Sequence, residues 1–406
     1  MIEKLGESMQ ADVFKAQNQQ TSETIVLKKI KPRFCIKGIA EYVEQQIDQL
    51  KQLPLTHTIV PDIVGYENGG LVLAQPFIDA KPLSECLPFS VEPDIERVLQ
   101  LAVALAERLE EIHKAGHIHK SIKPTNILLA SPSNNVVIID DIRVLDINQV
   151  SHFIYDPHFR SQTLPYLSPE QTGRIKYTVN YTTDLYSLGM VLYACLVGKP
   201  PFLFADPIAI VHSHLAETPA PLHDINPSIP VQLSKMVAIL LEKAPEKRYQ
   251  TASGLAHDLR ICLQQWQAKR HIAAFVLKQR DFSNRITIPS VMVGRDKEKR
   301  QLLDEFNRAC SGVFRAALIS GFSGIGKTRL IQELQLPIVA HSGYFTSGKF
   351  DQFKKHIPYS TLIQAFTTLI KTFLSEDKER IDYWRKRIGE QLGDNGRLMT
   401  WCRNWS

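Results

Sequence analysis

The sequence predicts an α+β domain of two lobes followed by an α/β domain built around a glycine-rich loop. Three observations carry this expectation. Residues 1 to about 80 hold short apolar or alternating runs, ADVFKA, TIVLKKI and GLVLAQPF, around a helix-periodic stretch, EYVEQQIDQLKQL. From there to about residue 265, apolar residues recur at three- and four-residue steps. Later still, the apolar FRAALIS runs into GFSGIGKTRL.

Alternation with a period of two places side chains on opposite faces of a strand, so the early runs predict a small sheet with one helix. In DIERVLQLAVALAERLEEIHKA, Asp94 to Ala115, apolar residues take one face and acids and bases the other, which predicts a buried amphipathic helix. YSLGMVLYACLVG, VQLSKMVAILLEKA and SGLAHDLRICLQQW predict further helices, so the second lobe, about 81–265, is mostly helical. Near Gln267 the pattern turns polar and irregular, which marks 266–290 as a linker. EKRQLLDEFNRAC then predicts a helix, FRAALIS a strand and RLIQEL another helix, within a partial second domain over 291–406. A chain of 406 residues has room for two or three domains.

A 44% hydrophobic and 22% charged composition is that of a soluble globular protein, and no run of 18 apolar residues occurs. GMVLYACLVG is too short to span a bilayer and reads as a core helix. The N-terminus, MIEKLGESMQADVF, mixes acids into its first residues and lacks the apolar segment of a secretory signal. A cytoplasmic protein without membrane insertion is expected. The net charge of +6, from 48 basic and 42 acidic residues, is spread without a block of five like charges. Lys269 to Arg315 leans basic, but a solvated linker or helix face accounts for it, and no nucleic-acid partner is expected. The six cysteines, Cys35, Cys86, Cys195, Cys262, Cys310 and Cys402, show neither a CxxC pair nor metal-ligand spacing and read as reduced thiols.

GFSGIGKT fits G-x-x-x-x-G-K-S/T at each position, between a strand-like run and a helix-like one. Gly321, Gly324 and Gly326 let backbone amides turn inward around phosphates, Lys327 meets the terminal phosphates, and Thr328 offers a hydroxyl to Mg2+. The plainer alternative is a glycine-rich turn between strand and helix. Hydrolysis needs an acid after a second apolar strand, and no run of four apolar residues from Arg329 to Ser406 ends in Asp or Glu. This half reads as an incomplete ATPase.

HKSIKPTNILL, residues 119–129, is a polar loop entering an apolar strand, a form that could hold a nucleotide and its metal. With its flank, IHKAGHIHKSIKPTN resembles the catalytic loop of protein kinases, H-R-D-L-K-P-x-N, with His119, Lys120, Ser121, Lys123 and Asn126 on its positions. Lys28 lies fifteen positions beyond Val13, a spacing like that from the glycine loop to the phosphate-binding lysine of kinases. IIDDI stands where D-F-G would be, TLPYLSPE resembles the end of an activation segment, and YTTDLYSLGMVLY and PEKRYQ resemble late kinase motifs. The resemblance spans residues 1 to about 265 and implies a bilobal protein-kinase fold. It implies ATP and Mg2+ as cofactors, with Gly6, Val13 and Lys28 at the nucleotide, Ser121, Lys123, Asn126 and Asp140 at the catalytic centre, and Asn126 and Asp140 on the metal. A buried Glu170–Arg248 ion pair, and Asp184 bracing the catalytic loop, follow from the same resemblance. His113, His117 and His119 suggest a metal cluster in isolation, but HKAGHIH follows the kinase pattern.

Four departures stand against the family pattern. In GESMQADV only Gly6 remains of three loop glycines, with Ser8 and Ala11 at the others. Asp140, Asp141 and Ile142 replace D-F-G, so the acid persists while the ring and the hinge glycine are gone. The partner of Lys28 is open: Glu44 is the nearest acid, whereas spacing from Leu53 favours Gln46. The largest departure is Ser121, because a neutral hydroxyl cannot accept a proton as a carboxylate does.

The order of kinase-like domain, VGRDKE, P-loop and GYFTSGKFDQF resembles the front of large bacterial, especially cyanobacterial, signalling hybrids, in which an ATPase, sensors and a histidine kinase follow. NGRLMTWCRNWS departs from the expected continuation, so a truncated or frame-shifted copy is expected. Three readings follow. One is a kinase-fold regulatory module that binds ATP and signals to a protein partner with transfer weak or lost. The second is a working serine/threonine kinase with a protein substrate, and the third is a nucleotide-gated scaffold driven by the P-loop.

Overall fold

The computed structural model describes residues 2–35, 39–52, 58–87, 93–130, 135–139, 154–175, 177–282, 294–322, 324–334, 337–338, 341, 343–348, 350, 359–374 and 378–392. By internal contact the chain forms two compact units, Met1–Ala340 and His341–Ser406.

The first unit begins with β1 (Glu3–Glu7), β2 (Ala11–Gln17) and β3 (Thr24–Ile30), followed by α1 (Ile39–Lys51), β4 (Thr58–Ile59), β5 (Asp62–Glu67) and β6 (Gly70–Pro76). The main sheet is antiparallel in the order β1-β2-β3-β6-β5. β1 and β5 lie beyond the predicted strands, and each occupies an edge. The turn joining β5 to β6 holds Asn68 at φ 51° and Gly69 at φ 78°, the left-handed pair that a tight hairpin requires. Within α1, Val43, Ile47 and Leu50 recur at four- and three-residue steps and are buried, so one stripe of the helix enters the core.

β7 (Ala80–Pro82) and α2 (Leu83–Cys86) lead to α3 (Ile95–Lys114), then β8 (Ile127–Ala130) and β9 (Asn135–Ile139). A second sheet has the order β4-β9-β8-β7. Asp94 starts α3 by accepting a bond from the Arg97 backbone N–H at 3.1 Å. Helices α4 (Pro157–Gln162), α5 (Tyr181–Val197), α6 (Pro207–Ala216), α7 (Leu222–Ile225), α8 (Val231–Leu240) and α9 (Ala252–Lys269) complete the helical lobe. α5 is the predicted core helix, buried from Thr182 to Cys195 on all sides, capped by Asn180 and ended by Gly198 at φ 87°. The lobe continues past residue 265: α9 runs to Lys269, and Asp281 accepts bonds from the backbone N–H groups of Gln250 (2.7 Å) and Thr251 (2.8 Å).

Beyond residue 294 come α10 (Asp296–Cys310) and α11 (Lys327–Gln332) in the first unit, and α12 (Ser360–Leu374) and α13 (Lys378–Leu392) in the second. FRAALIS, predicted as a strand, is irregular, and Phe314 and Leu318 are 90% and 96% exposed. The reason is physical: a strand needs a neighbour for its N–H and C=O groups, and no strand among the described residues pairs with it. In the second unit Tyr344 meets Trp384 edge to face, and the Thr346 hydroxyl donates to the Ala365 carbonyl at 2.6 Å. Among the described residues no helix is long and apolar enough to cross a membrane.

Candidate functional site

The loop between α3 and β8 is held from below by one buried carboxylate. Asp184, on α5, accepts bonds from the backbone N–H groups of His119 (2.9 Å) and Lys120 (2.7 Å), and its Oδ2 lies 2.8 Å from His113 Nε2. Burial works to raise this carboxyl, but the bonds from His113 and the Lys120 backbone, with the fields of His113 and His119, hold it below the usual carboxylate range. The bracing role expected of Asp184 is thus visible atom by atom. Lys120 sits at φ 65°, an uncommon conformation for a residue with a side chain. Two bonds fix it there: its N–H to Asp184 and its carbonyl, which accepts from Gln171 Nε2 at 2.8 Å.

Ser121, Lys123 and Asn126 lie together on this loop, and all three are buried. Asn126 Nδ2 donates to the Ser121 carbonyl at 3.0 Å and to Ser121 Oγ at 3.1 Å. Lys123 Nζ donates to Thr163 Oγ1 at 3.2 Å, tying the loop to the segment that ends in TLPYLSPE. That segment is anchored by the Glu170–Arg248 pair, at 2.8 and 3.1 Å with both side chains fully buried. Thr183 Oγ1, at 2.7 Å, adds a bond to Glu170, and Arg248 also donates to the carbonyls of Thr182, Glu242 and Lys243, so neither charge is left unpaired.

Across the cleft, Val13 on β2 and Lys28 on β3 are direct cross-strand neighbours, which turns their sequence spacing into contact. Glu44 is exposed and Gln46 half-buried on α1, and among the described residues Lys28 forms no ion pair or hydrogen bond with either. Gly6 lies on β1 opposite Val13, where an added Cβ would meet nothing within 4 Å. In the β1–β2 turn, Ser8 Oγ accepts from the Ala11 N–H at 3.1 Å, and Ser8 N–H donates to the Ala11 carbonyl at 2.8 Å. Two amides of this loop are therefore bonded within it. Asp140, Asp141 and Ile142 lie outside the described residues.

In the glycine-rich loop, Gly321, Gly324 and Gly326 adopt φ of 156°, 82° and 92°, values that side chains disfavour. Gly326 leads directly into α11, which Lys327 and Thr328 open. Lys327 Nζ donates to the carbonyls of Gly321 (2.8 Å) and Phe322 (2.7 Å), closing the loop around its own ammonium. Arg295, of VGRDKE, donates to the Ile325 carbonyl at 3.1 Å, and Lys299 joins Glu333, so α10 is fastened to the loop and to its helix.

Residues 1–259 match the protein kinase domain family. The chain belongs to the protein kinase family. Residues 291–400 match the AAA ATPase domain, so a kinase domain precedes an ATPase domain in a multi-domain signalling architecture. The chain is 29% identical to hybrid signal transduction histidine kinase G of Dictyostelium discoideum, over 80% of this chain and 12% of that one. A probable serine/threonine-protein kinase of Clostridium perfringens is 28% identical over 64% of this chain and 37% of its own. Serine/threonine-protein kinase PknB of Mycobacterium leprae is 31% identical over 45% and 29%. The chain thus spans well under two thirds of the length of each relative.

Both domain families imply ATP use, ordinarily with Mg2+. The kinase site fits that pair in part. With its amide nitrogen bonded to Ser121, Asn126 has its carbonyl oxygen as the hard ligand it would offer such a cation. Among the described residues there is no group of three His, Cys, Asp or Glu side chains that could hold a metal ion, and Asp140 lies outside them.

Some contacts at this site had no signal in the kinase-like sequence. Gln171 on the Lys120 carbonyl and Arg33 on Asp156 join residues 51 and 123 positions apart. Neither distance can be read from local spacing.

Proposed function

We propose that this kinase-fold domain is a nucleotide-binding regulatory module, acting in the cytoplasm on a protein partner, whose phosphoryl transfer is weak or lost. The observation that carries the reading is Ser121. Its hydroxyl stands where a carboxylate would accept the substrate proton, and it serves instead as an acceptor for Asn126. A positioned general base is worth about 10² to 10⁴ in rate, and a neutral hydroxyl does not supply it. Lys28, Lys123 and Asn126, with Asp140, would position the nucleotide and its Mg2+, while Gly6 and Val13 border the base and phosphates. Lys327, Thr328, Gly321, Gly324 and Gly326 would hold a second nucleotide in the domain over residues 291–406.

The bonded frame of Asp184, Glu170, Arg248 and Lys123 favours a second reading, a slow serine/threonine kinase, because phosphoryl transfer leans on positioning and charge more than on a base. A P-loop-gated scaffold is the third. Thermal unfolding with Mg-ATP tests the first. A ligand bound only by the native state stabilises it by about 2.7 kcal/mol at a hundredfold excess over its dissociation constant. The expected result is a nucleotide-dependent rise in Tm that survives Lys327→Ala and is reduced in Lys28→Ala. A rise that depends wholly on Lys327 would move the function to the P-loop.

A further inference from the structure

We propose that residues 271–282 form a tether through which the ATPase domain acts on the kinase site, by way of the buried Glu170–Arg248 pair. The chain does not leave the helical lobe at the end of α9. It turns back along it: Arg270 is left-handed at φ 51°, the Ala273 N–H donates to Gln265 Oε1 at 2.8 Å, and the Phe275 carbonyl accepts from Gln232 Nε2 at 2.7 Å. Ile272 is buried in the core of the lobe, and Phe275 and Leu277 pack against that core.

The tether then grips the loop that carries Arg248. Lys278 Nζ donates to the carbonyls of Arg248, at 2.6 Å, and Lys247, at 3.2 Å. Its N–H donates to Asp258 Oδ2, which also accepts from the Tyr249 hydroxyl. Asp281 accepts from the N–H groups of Gln250, at 2.7 Å, and Thr251, at 2.8 Å, and from the Thr251 hydroxyl. Two side chains of the tether thus hold the backbone of residues 247, 248, 250 and 251. The fit is tight: Lys278 takes φ 65°, which side chains disfavour, and a Cβ on Gly254 would come 2.7 Å from Asp281. From Arg248 the bonds run on to the kinase site. Arg248 donates to both oxygens of Glu170, and the next residue, Gln171, donates to the Lys120 carbonyl at 2.8 Å, one position before Ser121. A fully buried pair loses its geometry on small displacements, so a shift of the 247–251 backbone reaches Glu170.

A second contact approaches the same pair from the P-loop. The Arg329 guanidinium, on α11, lies 6.0 Å from the centre of the Tyr177 ring, and Tyr177 also lies in the fields of Glu246, Glu333 and Arg248. Arg329 stands two residues after Lys327. The coupling therefore rests on the reading of the P-loop as a nucleotide site: a nucleotide seated on Lys327 biases the side chain that meets Tyr177.

Hydrogen exchange on the full-length chain tests the tether without requiring nucleotide. Lys278→Met removes the ammonium and keeps the stem, while Lys278→Arg keeps the charge. Lys278→Met should raise exchange about two- to fivefold at residues 245–251 and also at 166–173 and 119–126, with Lys278→Arg close to the parent. A rise confined to residues 245–282 would make the segment a structural strap and overturns the proposal, as does unchanged exchange. The second arm needs no tether variant. A fluorescent Mg-ATP analogue is added at saturation to the Lys28→Ala chain, where only the P-loop can bind it, and should slow exchange at residues 166–173 about two- to fivefold. Arg329→Gln in that background should abolish the slowing. An analogue that binds without slowing exchange there overturns the proposal. If Lys278→Met behaves as expected but no form binds the analogue, the tether stands and the reading of the P-loop as a nucleotide site fails.

Discussion

Lys243 shows how a single half-buried charge can be decided by competing terms. Its Nζ donates to the Ser213 carbonyl at 3.0 Å and lies 4.8 Å from the Phe202 ring and 5.8 Å from that of Tyr186. Burial, helped by Arg248, pulls the ammonium down to about 7, against the opposing fields of Glu217 and Glu242. The ring faces favour the cation, but by roughly 0.5 to 2 kcal/mol, less than the cost of burying it. A lysine whose folded value lies below its unfolded one gains a proton on unfolding between about pH 7 and pH 10.5, so the folded state is favoured as pH rises through that window. Compared with Lys243→Met in denaturant titrations, the wild type should gain on the order of 1 kcal/mol per pH unit from pH 7 to 9. A difference that stays flat over that range would mean that the rings and the Ser213 carbonyl hold the charge. At this scale the contacts of the loop over residues 119–126 were legible, because Ser121, Lys123, Asn126, Glu170, Asp184 and Arg248 sit at fixed offsets within motifs. The partner of Lys28 was not, because pairing depends on where α1 docks rather than on what it contains.

Among the elements, α5 is the one whose packing leaves least room. Gly189 lies in its middle, and a Cβ there would come 2.7 Å from Leu240 Cβ and 3.0 Å from Leu241 Cδ2 on the facing segment of α8. A methyl group gains helix propensity over glycine but must push two helices apart, and overpacking of this kind costs about 1 to 3 kcal/mol. Gly189→Ala should therefore lower the denaturation midpoint, with a circular dichroism spectrum of unchanged helix content. A stabilised variant would show that α8 gives way freely. The strong helices were readable because an apolar stripe at a 3.6-residue period has one meaning over many turns. β5 was missed although its turn carries an Asn-Gly pair, since its own residues are half or fully exposed and show little apolar alternation. FRAALIS failed in the opposite way: its apolar pattern is that of a strand, and pairing, which is not a local property, decides whether one forms.

For the whole molecule, we propose that the kinase domain is a signalling frame around an altered chemical centre. The buried ion pair, the bonded loop over residues 119–126 and the capped core helix are all present, and Ser121 stands where the family resemblance expects a carboxylate. The predicted metal acid Asp140 lies outside the described residues, and the order of kinase then ATPase places that centre in a protein of several domains. The most direct test of the central claim is transfer of labelled γ-phosphate from Mg-ATP to a generic protein substrate by the Lys327→Ala chain, with and without Ser121→Asp. The account predicts a parent near background and a gain of about 10² or more when the carboxylate is supplied. A parent that already transfers phosphate, and loses it in Lys28→Ala, would contradict the account and establish a working kinase.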